Sequence, residues 1–510
     1  MGRLVPFIVI IFILLGILVS VPLLLRPDSH RAQLAQYLSD QLHHKVVIGK
    51  LDAVFFPPAL RISDIAVMHD QGETPIARAE RLDVTPDWAS LFKGKIRPSA
   101  LSFNHLTVTM ARRQDGSWDS DEWLGGVPAP ADAPSWPLTT VTVHQGEVHW
   151  LDSFAEPSQE LVLQQIEATL DRGKRQLKWT GALNGLGAPV SIEFTGQGTF
   201  PSDWAGDAML TDQNRKWALH VTDQRGALDA KGQAAEWRAG ALWSLIGFYG
   251  RWKPAAAAGA TEVLTQWKNH FSFAPHLATF YEAGNLAGGE TEVKGEETSS
   301  GTARSLALSV ALKDVSAESI ANITGESLPV DGKLTTVSHL EFPVAAHPLG
   351  TFSGEGTVVV RDGHFHFPEA SVKSLEKAKT KKYLSAKYPG WAESGLPLSQ
   401  LRLHYLAKQG NIQIDEGSLV SGDLRAALVG KIDGAHEAMD AYTRLQIREK
   451  NPELLKELPA HYVYGAPGHE TIQPIYGRIQ GTWTDWSLRA VKSSSIPGAV
   501  QAKLRRAIGG

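Results

Sequence analysis

The sequence predicts a mainly β protein behind an N-terminal transmembrane helix, with a few short helices. Three observations carry that prediction. In "LTVTM", Leu106, Val108 and Met110 alternate with Thr107 and Thr109, and period-two alternation marks a strand with one apolar face. The same pattern returns along most of the chain, punctuated by Gln-Gly and Asp-Gly pairs of the kind that make turns. Finally, Leu4 to Leu25 reads "LVPFIVIIFILLGILVSVPLLL" without a charge, enough to cross a hydrocarbon core about 30 Å thick.

The anchor comes first in the chain. A signal peptide's apolar region runs to about 7–15 residues and leads into small residues at a cleavage site. Here the run is longer and ends in "PLLLRPD". We therefore expect an uncleaved span that includes Leu4, Ile8, Ile11, Leu15, Leu18 and Leu25. Arg3 lies on one side, Arg26 and Arg31 on the other, so basic flanks barely orient it. Leu34, Tyr37, Leu38 and Leu42 then recur at helical spacing behind candidate caps Asp28 and Ser29, predicting a short amphipathic helix at the membrane surface.

Strands follow at Val46 to Ile48, Leu60 to Val67, Ile76 to Val84 and Ala100 to Met110. "DWASLFKG" reads as a helical turn, and the Pro- and Ala-rich 125–137 as a linker or ordered loop. Three segments share one theme. "TVTVHQGEVHW" places Val141 and Val143 before Gln145-Gly146. "TVVVRDGHFHF" places Val358 and Val360 before Asp362-Gly363. "LRLHYLAKQGNIQI" places Leu401 and Leu403 before Gln409-Gly410, with Ile412 and Ile414 after. Each reads as a hairpin. "SLALSVALKDV" sets Leu306, Leu308, Val310 and Leu312 on one face. Residues 239–287 are richer in helix formers and read as a helical insertion. Ser371 to Lys387 reads as a Lys-rich helix whose charged side is either solvated or in contact with anionic headgroups. The tail "IPGAVQAKLRRAIGG" is basic and amphipathic, either frayed or touching a membrane surface.

Composition removes several function classes. The 510 residues carry a net charge of −4, which offers no electrostatic footprint for nucleic acid. No cysteine is present, which excludes disulfides, thiol nucleophiles and Cys-bound zinc. No phosphate-binding loop or G-x-S-x-G elbow occurs. His364 and His366 point to one strand face, but no third metal ligand is evident in sequence, so polar outer-face histidines are the simpler reading. Asp115, Asp362 and Glu416 sit beside glycines, where turn formation explains them. We therefore expect no catalytic residues, no metal and no cofactor. Alternation alone fits a closed β-sandwich and an open trough equally well.

The order of several blocks resembles the AsmA family of bacterial inner-membrane-anchored proteins. After the anchor and helix come "IGKL", "PALRISDI", "ARAERLDV", "SLFKGKI" and "DGSW"; the later "VALKDVSAESIANITGESLPVDGKL", "GEGTVVVRDGHFHF", "GNIQIDEGSLVSGDLRAALVGKID" and "GRIQGTWTDWSLRA" resemble the family's closing region. The resemblance implies a single-pass protein with its N-terminus cytoplasmic and its bulk periplasmic. It also implies an elongated, strongly twisted antiparallel β-sheet curled into an apolar trough. It implies a role in moving phospholipid between the inner and outer membranes, or in outer-membrane biogenesis. The partners would be membrane phospholipids, the inner membrane and an envelope or outer-membrane protein. About 20 strands in one sheet would give a trough on the order of 100 Å long. Leu106, Val108, Met110, Val141, Val143, Leu306, Leu308, Val310, Val358, Val360, Leu401, Leu403, Ile412 and Ile414 would line it.

The division expected is an anchor at 1–27, an AsmA-like segment at 28–125, a middle β segment at 126–300, a C-terminal β segment at 301–490 and a basic tail at 491–510. Two rival readings are a sandwich-type scaffold for outer-membrane protein assembly and an envelope hydrolase. Facing is the hardest point to read from sequence. Phe103 and Leu106 have opposite parity, so both face one side only if the strand contains a bulge.

Overall fold

The computed structural model describes residues 27–42, 44–55, 58–69, 75–87, 98–113, 119, 139–153, 158–185, 188–199, 203–224, 227–242, 244, 261–274, 277–300, 303–324, 327–343, 351–376, 381–434, 438–458, 463–464, 471–482 and 485–508. The anchor residues Leu4, Ile8, Ile11, Leu15, Leu18 and Leu25, the turn at 88–94 and the linker at 125–137 lie outside them. No described helix is long and apolar enough to cross a membrane. The chain divides into two compact units, Met1–Ala230 and Lys231–Gly510. The boundaries expected at 125/126 and 300/301 do not coincide with that division. Strands on either side of each are hydrogen-bonded to one another.

The N-terminal unit holds α1 (Arg31–Leu42) and strands β1 (Val46–Phe55), β2 (Pro58–Met68), β3 (Pro75–Pro86), β4 (Pro98–Ala111), β5 (Thr140–Asp152), β6 (Gln159–Asp171), β7 (Gln176–Asn184), β8 (Val190–Gly198), β9 (Trp204–Asp212) and β10 (Arg215–Gln224). Each strand pairs with the next in chain order. All of these pairs are antiparallel except β4–β5, which is parallel. This departs from the uniformly antiparallel sheet that the resemblance implies. The long connection between Ala111 and Thr140 permits the exception, because parallel neighbours need a crossover of a dozen or more residues.

Beyond β11 (Ala227–Arg238), which runs across the division, come β12 (Val263–Ala274), β13 (Leu277–Leu286), β14 (Gly289–Ser300), β15 (Ala303–Ser316), α2 (Ala317–Thr324), β16 (Lys333–Pro343), β17 (Ser353–Phe365), α3 (Glu369–Glu376), α4 (Lys381–Lys387), α5 (Trp391–Ser394), β18 (Leu396–Lys408), β19 (Asn411–Ser421), β20 (Leu424–Asp433), β21 (Ala438–Ile447), α6 (Pro452–Leu455), β22 (Val463–Tyr464), β23 (Thr471–Ile472), β24 (Ile475–Thr482), β25 (Trp486–Ala490) and α7 (Gly498–Ala507). From β12 to β21 each strand again pairs with the next, antiparallel, and β21–β24–β25 continue the sheet. The helical insertion expected over 239–287 is therefore corrected across 263–286. Those residues form the hairpin β12–β13, in which Phe271 and Phe273 alternate with Ser272.

Only one of the three predicted Gly hairpins is a hairpin. Gln409 and Gly410 both have positive φ, 51° and 76°, as a two-residue type I′ turn requires, and join β18 to β19. At Gln145 and Asp362 the chain instead continues in a single strand, with one left-handed residue (φ 53° and 54°). In the N-terminal unit such residues fall in a line. Asp64, His105, Gln145 and Gln165 have φ between 51° and 55°. The register sets Glu80 opposite both Asp64 and His105, and Gln145 beside His105. The burial of β3 shows the consequence. Ala79 and Leu82 are both buried while Glu80 and Arg81, between them, are both exposed. Leu106 pairs with Ala79 and Phe103 with Leu82, so the two residues of opposite parity share a face.

Helix α1 covers the start of that face. Leu34, Ala35 and Leu38 pack against Val46, Ile48, Leu51, Ile62 and Leu82. Its polar side chains, with Asp28 of the turn before it, serve the free edge of β1. Arg31 donates to the Gly49 carbonyl at 2.6 Å, and the amides of Val46 and Leu51 donate to Ser39 and Asp28 at 2.8 and 3.2 Å. Edge strands left bare template unwanted pairing. The C-terminal tail is not frayed: α7 buries Leu504 and Ile508 on Ala427 and Val429 of β20.

At the β4–β5 end, Arg112 and Asp152 form an ion pair (3.5 Å) with both side chains almost wholly buried. Removing one member strands the other's charge, at a typical cost of about 3–5 kcal/mol. Arg112→Met should lower the unfolding free energy of the N-terminal unit, measured with urea, by a margin of that order, and Arg112→Met with Asp152→Leu should recover much of the loss.

Candidate functional site: an apolar sheet face

Residues paired across strands point to the same side of a sheet, so register identifies the faces. In the C-terminal unit Leu308 pairs with Gly295 and Leu340, and Gly295 with Phe280. Val310 pairs with Val293 and Ser338. Val358 pairs with Leu403 and Val360 with Leu401. Ile414 pairs with Tyr405 and Ile412 with Ala407. A shift between Ile414 and Gly417 keeps Ile412 and Ile414 on the side of Leu403, which faces Gly417. Thus Leu306, Leu308, Val310, Val358, Val360, Leu401, Leu403, Ile412 and Ile414 all stand on one face of one sheet. In the N-terminal unit Leu106, Val108 and Met110 share a face with Val141 and Val143: Phe103 pairs with Val143, Val108 with Val148 and Met110 with Trp150.

The C-terminal face is covered by helices at one end; at the other, Leu306, Glu282 and Glu297 are buried and Phe280, Leu308 and Leu340 half-buried. Ala317 and Ile320 of α2 pack over Val358, Val360, Leu401 and Leu403. Tyr383, Leu384, Tyr388 and Trp391, from α4, α5 and the residues between them, pack against Leu419, Leu424, Leu445 and Ile447. The Lys-rich segment is tied down there: Lys387 donates to Glu449 at 2.7 Å and to Asp423 at 2.9 Å. Val360 and Leu401 therefore belong to a closed core. Toward the other end of the strands lies an open groove of about 650 Å³, lined by Phe280, Leu308 and Leu340 together with Tyr281, Lys294, Ser309, His339 and Glu355, which the register sets on the opposite face. Sequence reasoning missed Phe280 and Leu340. "HLEFP" carries the signal for one of them, since Leu340 and Phe342 alternate with His339 and Glu341; Phe280 is hidden inside the stretch that reads as helical.

Between the groove and the closed core the face carries polar groups. The Tyr405 hydroxyl donates to Ser338 Oγ at 2.9 Å, and Thr336 and Ser338 hydroxyls lie 3.1 Å apart. Burial pushes the Tyr405 hydroxyl above its usual pKa. The same row contains Glu282, which pairs with Asn269 on β12 and Val293 on β14 and is only 6% exposed. Burial alone drives its carboxyl up to about 8.

Catalytic and metal readings gain little. His364 Nδ1 and His366 Nε2 approach the two oxygens of Asp331 at 3.3 and 3.0 Å, which uses the histidines as hydrogen-bond partners of a loop carboxylate. Among the described residues no group of three ligating side chains is arranged to hold a metal ion. Asn322, of the "NIT" triplet, donates to Glu262.

A family model described as YhdP protein matches residues 1–258, just over half of the chain, and extends through a middle region that the quoted sequence blocks do not cover. No curated protein matches the chain. The chain belongs to the YhdP family, which stands within the AsmA-like group of bridge-type lipid transfer proteins.

Glu282 makes stability pH-dependent with a definite sign. Its folded pKa, about 8, lies above the ordinary 4.5, so between those values the folded state holds more protons than the unfolded one and stability falls as pH rises. Glu282→Gln cannot ionise. Urea unfolding at several pH values should show the variant gaining on the native protein from about pH 4.5 to 8, then a constant difference.

Proposed function

We propose that this chain is a non-enzymatic, membrane-anchored periplasmic protein that shields phospholipid acyl chains in a hydrophobic β-groove. It would thereby support phospholipid transport between inner and outer membranes and outer-membrane biogenesis. In this reading the N-terminus is cytoplasmic, a single span crosses the inner membrane, and an elongated, twisted sheet curls into a trough with its apolar face inward. Membership of the YhdP family supports the reading. The observation that carries it is the continuous apolar face of the C-terminal strands, where Leu306, Leu308, Val310, Val358, Val360, Leu401, Leu403, Ile412 and Ile414 share one side.

The physics of such a floor suits acyl chains. Each buried methylene contributes about 0.8 kcal/mol without directional demand, so a tail is held by many small contacts and can slide. A scaffold with a closed sandwich would instead bury the same face under a second sheet. Among the described residues of this unit, the ladder outside the main sheet is the two-residue pair β22–β23.

A photocrosslinking residue at Leu308 or Leu340, with Val337 and Arg402 on the opposite face and outside the groove as controls, separates the two readings. Lipid mass spectrometry should find phospholipid adducts at the first pair and not at the controls. Adducts to protein alone at Leu308 and Leu340 would defeat the lipid reading in favour of the scaffold.

A further inference from the structure

The tail helix α7 spends its apolar side on the sheet. Leu504 and Ile508 are buried against Ala427 and Val429, with Tyr442 and Tyr476 packed beside them. These sheet residues stand on the face opposite to Leu403, because Leu428, between Ala427 and Val429, pairs with Gly417, and Gly417 with Leu403. The rows on this opposite face are rich in arginine. Arg425 pairs with Gln446. Ala427 pairs with Arg444, and Arg444 with Tyr476. Val429 pairs with Tyr442, Tyr442 with Arg478, and Arg478 with Arg489. These three rows hold four arginines and no carboxylate. The next row holds Lys431 and Asp440, and Arg478 grips Asp440 through hydrogen bonds of 2.8 and 2.7 Å. The tail adds Lys492, Arg505 and Arg506, all exposed. From Ile475 to Ile508 the acid is Asp485 alone, in a chain whose net charge is −4. Within this patch Arg444 is 8% exposed. Its Nε and Nη1 are buried without a hydrogen-bond partner among the described residues, as is Oε1 of Gln446, the next residue along that face. A buried guanidinium with no carboxylate in its row is costly, and its neighbours on the face are further arginines. An anion relieves that cost, and a guanidinium matches phosphate oxygens better than an ammonium does.

We propose that this face, from β20 to β25 and α7, docks on a membrane surface through anionic phospholipid headgroups, with Arg444 receiving a phosphate oxygen. The inference rests on the lipid-handling reading for the presence of a bilayer and deepens it by naming the surface that meets one. A layer of headgroups suits cations spread over four strands and a helix, which one small anion does not fill. A basic amphipathic helix ordinarily binds lipid by sinking its apolar side below the headgroups. In α7 that side is already buried on β20, so attachment here is electrostatic and yields to salt.

The test holds the full chain in phosphatidylcholine nanodiscs and measures, by flotation, its capture of separate phosphatidylcholine vesicles with or without phosphatidylglycerol. Capture should require phosphatidylglycerol. It should vanish between about 0.1 M and about 1 M salt, as the screening length falls from about 10 Å to about 3 Å. Arg505→Gln with Arg506→Gln should weaken capture about twenty-five-fold, about fivefold for each basic residue near an anionic surface. Arg444→Met should weaken it at least about tenfold, as loss of one hydrogen bond to a charged group implies, while raising the urea midpoint because a buried unpaired charge is gone. Arg444→Met with full capture would remove Arg444 from the surface. Equal capture of vesicles with and without phosphatidylglycerol, or capture that survives about 1 M salt, would overturn the docking surface. Release by inorganic phosphate at an ionic strength where chloride has no effect would overturn the lipid source in favour of a free anion. Photocrosslinking at Leu308 reads the apolar face separately. Lipid adducts there without phosphatidylglycerol-dependent capture would sink this inference alone, and capture without adducts would sink the acyl-chain reading alone.

Discussion

Everything in the strands of either unit depends on keeping one face apolar along stretches mostly of 9 to 14 residues that twist and bulge. Side-chain alternation has a period of two, and one extra residue reverses every side chain beyond it. The chain meets this with single left-handed residues. Asp64, His105, Gln145 and Gln165 in one unit, and Gln266, Asp314 and Asp362 in the other, have φ between 51° and 56°. A non-glycine residue in that region costs roughly 1–2 kcal/mol. Without the shift at Asp64, either Leu60 and Ile62 or Ile65 and Val67 would turn to solvent. Burial of one such side chain is worth about 1.5–3 kcal/mol, so two of them outweigh the strain, and the bulges are stable.

The helices then decide what happens to that face. Where α2, α4 and α5 lie over it, the sheet becomes an ordinary closed core: Val360 and Tyr383 have no exposed surface. The clasp of Lys387 on Glu449 and Asp423 holds the covering helices, and the nearby carboxylates raise the Lys387 pKa, so the charge stays on. Where no described helix lies, Phe280, Leu308 and Leu340 keep part of their surface open. Covering and openness on one sheet come from the same alternating pattern, and the difference between them is supplied by the segments that connect strands. At β1 the helix and the turn before it take a second task, satisfying edge amides with Ser39 and Asp28.

Strand positions and the apolar register were legible because alternation is a local signal that burial enforces. All nine residues named in the C-terminal half share a face, and the five in the N-terminal half share another. What failed was the meaning of Gln-Gly and Asp-Gly. A type I′ turn and a bulge both demand a left-handed residue, and both are satisfied by the same dipeptides. The structures differ in whether the second residue is left-handed as well, as at Gly410, or only the first, as at Gln145 and Asp362. That choice is set by partner strands far away in sequence. The hairpin β12–β13 was missed for a related reason, since Ala- and Leu-containing segments around it match helix propensity while the pairing that makes them strands is non-local. Glu282 was unreadable from sequence because its burial is a property of the assembled face.

A groove made only of methylene contacts has no preferred stopping point for a sliding chain. One hydrogen bond to a charged group contributes about 1.5–3 kcal/mol, the equal of two to four methylenes at about 0.8 kcal/mol each. A single polar group beside the floor therefore adds a resting position without outweighing the apolar contacts that carry the rest of the ligand. Glu282 lies in the row with Ser338 and Tyr405, next to the apolar row of Phe280, Leu308 and Leu340. Burial raises its carboxyl to about 8, so at neutral pH it keeps its proton and the apolar face carries no charge at that point.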